Sequence, residues 1–212
     1  MSGPTSYRLG VGIVLINHSG LIFAGCRRDG RVPPWQMPQG GVLPGEMPEQ
    51  AAMRELSEEL GTLKAEILDA FPGWIRYNYP AAQVSPRSGA FRGQQHRWFL
   101  MRFDGTDGDI RIETPHPEFC AWQWMTPADL IRSVASFKRR PYRQVFAYFA
   151  PAIERSIRSM PPAGMDSIRR LLRKSPSLDV GAANRTVGVA DPTACTTRAA
   201  AGATSHCPSD RT

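Results

Sequence analysis

The segment from Gly40 to Gly61, GGVLPGEMPEQAAMRELSEELG, restricts the fold of this chain more than any other part of the sequence. A glycine-rich start is followed by a helix signal at Pro48, and a second glycine stands at position 61. Proline suits the first position of a helix and glycine suits a left-handed C-terminal cap. Met47 is a poor N-cap, but Glu49 complements the positive end of the helix dipole. The sequence therefore predicts a helix that begins at Pro48 and ends at Gly61.

Three glutamates of this helix, Glu55, Glu58 and Glu59, fall within one sector about 100° wide, and its apolar residues form a second sector. Like charges three or four positions apart destabilise a helix by roughly a few tenths of a kcal/mol each. A divalent cation would offset this repulsion, since Mg²⁺ binds carboxylate oxygens and bridges to substrate phosphates. The alternative interpretation is a solvent-exposed acidic face that Arg54 screens. The apolar sector consists of Ala52, Met53, Leu56 and Leu60.

Strands are predicted on both sides of this helix from β-branched or alternating runs. In QHRWFLMRF, Trp98 and Leu100 are expected on one face of a strand, with Phe99 and Met101 on the other. Residues 27–41 are interpreted as a loop because of their prolines and glycines, and residues 85–93 as a polar connection. Together these elements predict an α+β or α/β/α layered domain of about 150 residues, whose topology the order of elements does not fix. The other predicted strands are VGIVLI, LIFAGC, AEILDAF, WIRYNYP and AWQWMT, and the later helices are PADLIRSV and RQVFAYFAPAIERSI.

The net charge of +7 is confined to one part of the chain. Residues 1–137 carry 13 basic and 14 acidic side chains, residues 138–174 carry 10 and 2, and residues 175–212 carry 3 and 3. A basic segment of this kind suits a polyanion such as nucleic acid, or it is a solvated helix face without a partner. Residues 175–212 contain almost no large apolar side chains and are predicted to be disordered. The expected organisation is a domain over 1–155, a basic helical extension over 156–174 and a tail.

The four cysteines are scattered, without a CxxC pair or histidines at zinc spacing, so neither a disulfide framework nor a zinc site is predicted. A reducing, cytoplasmic compartment fits this pattern best. The N-terminus lacks the apolar core of a secretory signal. No stretch reaches the roughly 18 apolar residues that a membrane span requires. We therefore expect a soluble protein without a membrane partner.

The glutamates and glycines of the first segment carry a resemblance to a known family. The pattern Gly40-x5-Glu46-x7-Arg54-Glu55-Leu56-x-Glu58-Glu59-x-Gly61 resembles the Nudix box at every specified position but the last, where Thr62 replaces an aliphatic residue. The resemblance implies a Nudix-type α/β/α sandwich with a mixed sheet flanked by helices. It also implies that Glu55, Glu58 and Glu59 hold Mg²⁺ or Mn²⁺ against a diphosphate, that Arg54 orients Glu55, and that Gly40 lets the backbone approach.

Further segments are similar to the bacterial branch of RNA pyrophosphohydrolases and dinucleoside polyphosphate hydrolases, over about residues 6–150. The branch implies that Glu118, within PEFCAWQW, joins the metal site; otherwise Glu118 is an ordinary loop carboxylate. Cys120 and Ala121 stand where the branch often has Asp-Gly. The remaining segments of the resemblance are YRLGVGIVLIN, WQMPQGG, WIRYNYP, GQQHRWFLMRF and SFKRRPYRQVF.

The resemblance implies a metal-dependent RNA 5′ pyrophosphohydrolase, which removes pyrophosphate from triphosphorylated RNA 5′ ends, leaves a monophosphate and so promotes RNA decay. The alternative within the same branch is a dinucleoside polyphosphate hydrolase. Arg8 and Arg27 are expected to contact the polyphosphate, and Lys138 and Arg139 the phosphates beyond the first. Each is otherwise an ordinary surface cation. A catalytically silent RNA-binding module is a third possibility, although binding alone does not require three convergent glutamates. A monomer is expected, and a base is expected to stack on one of three aromatic residues, which are otherwise core residues: Trp35, Tyr77 and Phe137.

Overall fold

The structure, a computed structural model, describes residues 6–28, 35–80 and 91–158 of the chain. Three α-helices are present in these ranges: α1 over Pro48–Leu60, α2 over Pro127–Ser133 and α3 over Arg139–Arg158. Two short 3-10 helices cover Asp107–Asp109 and Ser136–Lys138. The described ranges also contain eight strands: β1 Ser6–Ile16, β2 Ile22–Arg27, β3 Trp35–Gln36, β4 Gln39–Gly41, β5 Ala65–Ala70, β6 Ile75–Asn78, β7 Phe91–Phe103 and β8 Phe119–Met125.

The strands form one mixed sheet around β1 and β7. These two strands run parallel over their length, from Ser6 opposite Phe91 to Ile16 opposite Arg102. The other pairings are antiparallel, and they extend the sheet in the order β3-β2-β1-β7-β5. Three strands lie off this path, since β4 pairs with β1, β6 with β7 and β8 with β2. The parallel register matters for the site because it places Arg8 beside Gln94.

Helices cover both faces of the sheet, so the predicted α+β sandwich with α/β/α layers is confirmed. On one face α1 buries four apolar residues against Val11, Ile13 and Phe99. On the other face α2 and α3 pack on a cluster that includes Val14 and Trp98. The alternation predicted for β7 is therefore correct, because Trp98 and Leu100 face one cluster and Phe99, Met101 and Phe103 the other. The four α1 residues are Ala51, Ala52, Leu56 and Leu60.

The ends of α1 agree with the sequence. The helix begins at Pro48, and the amide of Met47, which has no side-chain cap of its own to offer, donates to Gln50 Oε1 at 3.1 Å. Gly61 ends the helix with a φ of 64°, and its amide donates to the Ser57 carbonyl at 3.0 Å. A positive φ is a backbone conformation that glycine adopts without strain. The glycine at this position therefore sets where the helix stops.

The prediction that residues 27–41 form only a loop is wrong for its second half. Trp35–Gln36 pairs with β2, and Gln39–Gly41 pairs with β1. Pro38 stands between these short strands and not inside them, and its carbonyl accepts a hydrogen bond from the Ile13 amide at 2.9 Å. Strand pairing tolerates proline when it lies outside the ladder. The predicted connection over 85–93 is also too long, because β7 already begins at Phe91.

The predicted tail and most of the predicted basic extension lie outside the described residues. The described part of α3 continues to Arg158, past the expected domain end at residue 155. Among the described helices, none combines the length and apolar character that crossing a bilayer requires.

Candidate active site

Gly40 in β4 touches the carboxyl group of Glu55 in α1. A Cβ atom added to Gly40 would overlap the Cδ and both carboxylate oxygens of Glu55. Real Cβ atoms do not occupy such positions, so an alanine here would displace the Glu55 side chain or the backbone. The close approach explains why the loop before α1 has a glycine at this position.

Arg54 connects the acidic residues of the loop and of α1. Its Nε and Nη2 atoms donate to Glu46 at 2.8 Å and 2.9 Å. Its Nη1 donates to Glu55 Oε1 at 2.8 Å and to Glu58 Oε2 at 3.0 Å, and Nη2 also reaches the Gly41 carbonyl at 2.7 Å. The hydrogen bond from Arg54 lowers the pKa of Glu46 to about 2. Arg54 therefore positions two carboxylates of the helix while a third, Glu46, holds Arg54.

The three helix glutamates differ in burial. Glu55 is 7% exposed and Glu59 is 3% exposed, whereas the Glu58 side chain is 58% exposed. Burial raises the pKa of Glu55, against the opposing effect of Arg54. Burial also raises the pKa of Glu59 well above its ordinary value, and the charges of Glu118 and Glu55 add to the effect. Two of the three carboxylates are thus withdrawn from water, so the helix does not present a simple solvated acidic face.

Glu59 has one carboxylate oxygen without a hydrogen-bond donor. Its Oε2 accepts from the Gln39 amide at 3.3 Å, while Oε1 is buried and has no hydrogen-bond partner within the described residues. A buried polar atom without a partner is costly, and in a native protein it calls for an explanation such as a bound ion. The orphaned oxygen is therefore a mark of a site and not of ordinary core packing.

Glu118 comes to the same place from another part of the chain. It precedes β8, and its carbonyl accepts from the Arg28 amide at 3.0 Å. Its Oε2 lies 3.9 Å from Arg27 Nη1. Together with Glu55 and Glu58 it lines a cavity of about 350 Å³, called the acidic cavity below. The other lining residues are Arg8, Leu9, Arg27, Gln39, Gly40, Gly41, Gln94 and His96.

The carboxylates do not form a compact metal cluster in this conformation. Across residues 6–28, 35–80 and 91–158, no three His, Cys, Asp or Glu side chains are gathered closely enough to hold a metal ion. Arg54 contacts both Glu55 and Glu58, and the buried Glu59 is not among the residues that line the acidic cavity. The convergence expected from helix periodicity is therefore partial.

A second cavity of about 330 Å³, called the aromatic cavity below, adjoins the first. The two share Arg27, Gln39 and Gln94 as lining residues. The rings of Tyr77 and Phe137 lie 5.7 Å apart between their centroids, and the Tyr77 hydroxyl donates to Gln94 Oε1. The remaining lining residues are Gln36, Tyr79, Val134, Ala135 and Lys138.

The structure separates Lys138 from Arg139, which the sequence grouped together. Lys138 is 7% exposed and donates to Gln36 Oε1 at 2.7 Å and to Gln39 Oε1 at 3.2 Å. Arg139 is exposed and donates to the Arg132 carbonyl at 3.2 Å. It lines neither cavity. Lys138 therefore belongs to the aromatic cavity, and Arg139 does not.

Of the three candidate aromatic residues, Tyr77 and Phe137 line the aromatic cavity. Trp35 lines neither cavity and is partly buried against the core on the side of α2 and α3. Arg8 is exposed beside Gly41, where an added Cβ would come within 2.6 Å of its Nη2. Arg27 lines both cavities.

Sequence reasoning missed His96 and the glutamines of the site. His96 is 2% exposed, and its Nδ1 has no hydrogen-bond partner in the described part of the chain. Burial lowers its pKa to about 3, and the charges of Lys138 and Arg8 contribute. Gln94 and His96 alternate with Trp98 on one face of β7, so the available signal was polar residues continuing a buried strand face.

Comparisons with known proteins agree with this geometry. The NUDIX domain family profile matches residues 6–146. The RNA pyrophosphohydrolase of Dinoroseobacter shibae is 48% identical over 148 residues, which cover 68% of this chain and 92% of that protein. That of Rickettsia bellii is 44% identical over 149 residues, covering 70% and 92%.

Solved structures show the same fold. The dihydroneopterin triphosphate pyrophosphohydrolase of E. coli superposes with a TM-score of 0.51 at 18% identity, over 66% of this chain and 97% of that one. At that identity the likeness concerns the fold alone. The family match covers most of the described domain, and the two curated relatives are matched over nearly their whole length. The chain therefore belongs to the Nudix family.

Proposed function

We propose that this protein is a metal-dependent RNA 5′ pyrophosphohydrolase, which removes pyrophosphate from a triphosphorylated RNA 5′ end and leaves a monophosphate. The observation that carries the proposal is the pair of adjoining cavities, one acidic and one aromatic, which share Arg27, Gln39 and Gln94. A polyphosphate fits the first and a nucleoside fits the second. The relatives from Dinoroseobacter shibae and Rickettsia bellii, both named RNA pyrophosphohydrolases, support this assignment.

Divalent metals are used generally by Nudix hydrolases, and the residues present here fit one. Glu59 Oε1 is buried without a donor, the charges of Glu118 and Glu55 raise the pKa of Glu59, and within the described residues Glu59 forms no ion pair that would offset this repulsion. Hard oxygen ligands of this kind suit Mg²⁺ or Mn²⁺. We assign Glu55, Glu58, Glu59 and Glu118 as the residues that would hold it. When bound, the ion supplies charge neutralisation for the phosphates and a more acidic water.

The reaction adds one water across a phosphoanhydride bond. A new bond forms between the water oxygen and the α-phosphorus, and the bridging oxygen leaves with pyrophosphate. The water proton passes to a carboxylate, for which Glu58 and Glu59 are the candidates. Phosphoryl transfer depends mainly on positioning and charge neutralisation, and Arg54 supports the first by fixing Glu55 and Glu58.

Two arginines are placed to bind the polyphosphate. Arg8 and Arg27 both line the acidic cavity, and Arg27 also lines the aromatic cavity. Arginine presents several donors in a planar fork that matches phosphate oxygens. Arg27 is therefore assigned to the phosphate next to the nucleoside, and Arg8 to the phosphates nearer Gly41.

The aromatic cavity offers the groups that hold an unpaired base. Tyr77 and Phe137 provide ring surface, and stacking on such rings is a common way to hold a single-stranded base. Gln36, Gln39 and Gln94 provide amide groups, which donate to and accept from base edges. Lys138 holds two of these amides in place by donating to both.

Two arginines that lie outside both cavities, Arg76 and Arg92, favour RNA over a dinucleoside polyphosphate. The Cζ atoms of Arg76 and Arg92 lie 5.4 Å and 5.5 Å from the centroid of the Tyr7 ring. Arg76 donates to the neutral Gln95 at 2.8 Å. In the described ranges neither arginine forms an ion pair with a carboxylate. Exposed, uncompensated cations beside an aromatic ring suit the backbone and bases of a longer chain.

The proposal is tested by measuring hydrolysis of triphosphorylated RNA and of diadenosine tetraphosphate side by side. The expected result is divalent-metal-dependent release of pyrophosphate from triphosphorylated RNA at a higher kcat/KM than hydrolysis of diadenosine tetraphosphate. The reverse order would favour the dinucleoside polyphosphate hydrolase. If neither substrate were hydrolysed while triphosphorylated RNA still bound, the result would favour the catalytically silent RNA-binding module. We further propose a monomer, to be checked by light scattering at the assay concentration.

A further inference from the structure

Two cysteines face each other across neighbouring strands beside the acidic cavity. Cys26 lies in β2 and Cys120 in β8, and their Sγ atoms are 3.6 Å apart. The Sγ of Cys120 also lies 3.5 Å from the Cys26 carbonyl oxygen, a contact in which the thiol donates. The two residues are 94 positions apart in sequence. Spacing along the chain therefore gave no sign of this pair.

We propose that Cys26 and Cys120 form a redox modification site, in which a peroxide converts the two thiols into an intramolecular disulfide that slows turnover. The peroxide first oxidises one thiolate to a sulfenic acid and is itself reduced to water. The second thiolate attacks the sulfenic sulfur, so an S–S bond forms and a second water leaves. Two electrons pass from the two thiols to the peroxide. A small thiol reverses the reaction by disulfide exchange.

The local backbone suits closure of the pair. The register of β2 and β8 shifts between Cys26 and Arg27, so one residue of β8 is left over at this point. Such a bulge disrupts the ladder locally and bends the strand. Closing the sulfur separation from 3.6 Å to the disulfide length of about 2.05 Å is a small movement at such an irregular point.

The two sulfur atoms differ in their exposure to solvent, and the difference suits oxidation of Cys120 before Cys26. Cys120 is half-buried, whereas Cys26 is 2% exposed. A soluble peroxide therefore meets Cys120 first. The buried Cys26 then acts as the second thiol, because its sulfur already lies within 3.6 Å.

The position of the pair connects its redox state to the active site. Arg27 directly follows Cys26, and Glu118 lies two residues before Cys120. Both line the acidic cavity, with 3.9 Å between Arg27 Nη1 and Glu118 Oε2. A disulfide draws the two strands together at the bulge and displaces this arginine and this glutamate. Only this effect on turnover rests on the proposed function, whereas the formation of the disulfide does not.

Peptide mapping under non-reducing conditions tests the modification itself. The full-length protein with Cys195→Ser and Cys207→Ser retains Cys26 and Cys120 as its only thiols, and is treated with hydrogen peroxide. The expected product is a linked peptide pair, lighter by two hydrogens, that dithiothreitol separates. Recovery of both cysteines as separate alkylated peptides, or of Cys120 as a sulfinic acid alone, would overturn the proposal.

Turnover of the same samples tests the consequence. Oxidation is expected to lower pyrophosphate release from triphosphorylated RNA by about tenfold, the low end of the cost of disturbing a partner of a metal ligand. Dithiothreitol should restore the rate, and Cys120→Ser should keep its rate under peroxide. A disulfide with unchanged turnover would overturn the regulatory claim. An inactive reduced protein would instead contradict the proposed function, while the peptide map still decides the modification.

Discussion

The acidic and aromatic cavities adjoin each other, but the chain builds them in different ways. The acidic cavity takes Glu55 and Glu58 from one helix and two glycines from β4 just before it, with Glu118 as the distant carboxylate. The aromatic cavity depends on contacts such as that between Lys138 and Gln36, which are 102 positions apart. The comparison teaches that the carboxylates are encoded mostly locally, whereas the proposed nucleoside site is assembled by the sheet and by the residues that follow α2.

The two cavities also differ in how the buried charged side chain at each one is paired. Glu59 leaves a buried carboxylate oxygen without a donor next to the acidic cavity. In the aromatic cavity the buried ammonium of Lys138 has two amide oxygens as partners. A buried carboxylate oxygen without a donor suits metal-assisted chemistry, and an ammonium group held by two amide oxygens suits a fixed binding shape. The two cavities should therefore respond differently to mutation.

The largest effect is expected from Glu58→Gln in the acidic cavity. Loss of the hydrogen-bond partner of a metal ligand lowers activity by up to roughly 100-fold. Loss of the charge of a proposed ligand itself should lower kcat by more than that. The fold should be retained and stability without metal should change by no more than about 0.5 kcal/mol, because the lost repulsion from Glu55 and the lost exposed ion pair with Arg54 are small and opposite. Turnover of triphosphorylated RNA at saturating Mg²⁺ and thermal melting in chelator provide the two measurements.

Glu49→Gln is the matched control for this variant. Glu49 lies in the first turn of the same helix, 3.7 Å from Arg97, and lines neither cavity. Its turnover should equal that of the unmodified protein. If Glu58→Gln retained full kcat, Glu58 would have no part in holding the metal.

The sequence predicted the acidic cavity better than the aromatic one for a physical reason. The position of Glu55 relative to Glu58 and Glu59 follows from helix geometry alone, and Gly40 precedes them in the same unit. The faces of β7 were also predictable, because strand side chains alternate. Long-range register has no such local rule, and Arg8 meets Gln94 only because β1 pairs in parallel with β7.

The short strands β3 and β4 and the side chain of Lys138 are further features that local sequence could not predict, because each depends on contacts with distant parts of the chain. Composition indicated a loop around Pro38, since nothing local reveals that β1 and β2 offer partners to β3 and β4. Lys138 and Arg139 looked equivalent as neighbouring cations. Their side chains diverge where the 3-10 helix meets α3, and that placed one in a cavity and the other in solvent.

Lys138→Ala should have a larger effect on stability and turnover than Arg139→Ala, because Lys138 lines the aromatic cavity and Arg139 is exposed. Removal of Lys138 leaves the oxygens of Gln36 and Gln39 without their donor, at a cost of about 1–3 kcal/mol in unfolding free energy. Turnover should fall on triphosphorylated RNA and on diadenosine tetraphosphate alike, because both place a nucleoside in the aromatic cavity. Urea unfolding and kcat/KM for both substrates measure this.

Arg139→Ala serves as the neighbouring control. An exposed side chain bonded to a single backbone carbonyl should change stability by no more than about 0.5 kcal/mol. A loss on RNA as large as that of Lys138→Ala would mean that Arg139 contacts the RNA chain directly.

His96 beneath the acidic cavity should make stability depend on pH. Its pKa of about 3 in the folded protein lies below the value of about 6.5 expected when unfolded. Between these two pH values only the unfolded chain takes up the proton. The contribution of neutral His96 to the free energy of unfolding is therefore complete above about pH 6.5 and is lost as the pH falls below it. At about 1.36 kcal/mol for each pH unit, the loss on going from pH 8 to pH 5 is about 2 kcal/mol.

His96→Gln should remove this part of the pH dependence. Urea unfolding of both proteins at pH 8 and pH 5 measures it, with the exposed His18→Gln as control. Equal pH dependence in the His96 variant and the unmodified protein would show that His96 accepts a proton in the folded state as readily as in the unfolded one.

The smallest effect is expected beyond both cavities, where Arg76 and Arg92 lie beside Tyr7. Each phosphate contact with a single strand contributes about 0.7 to the slope of log affinity against log salt. Arg76→Ala with Arg92→Ala should therefore reduce that slope by about 1.4 for triphosphorylated RNA and leave diadenosine tetraphosphate unchanged. The control is Arg102→Ala, because Arg102 is already paired with Glu66 and Asp104. A slope that falls equally for both substrates would place these arginines at the polyphosphate, and an unchanged slope would leave RNA recognition to the two cavities alone.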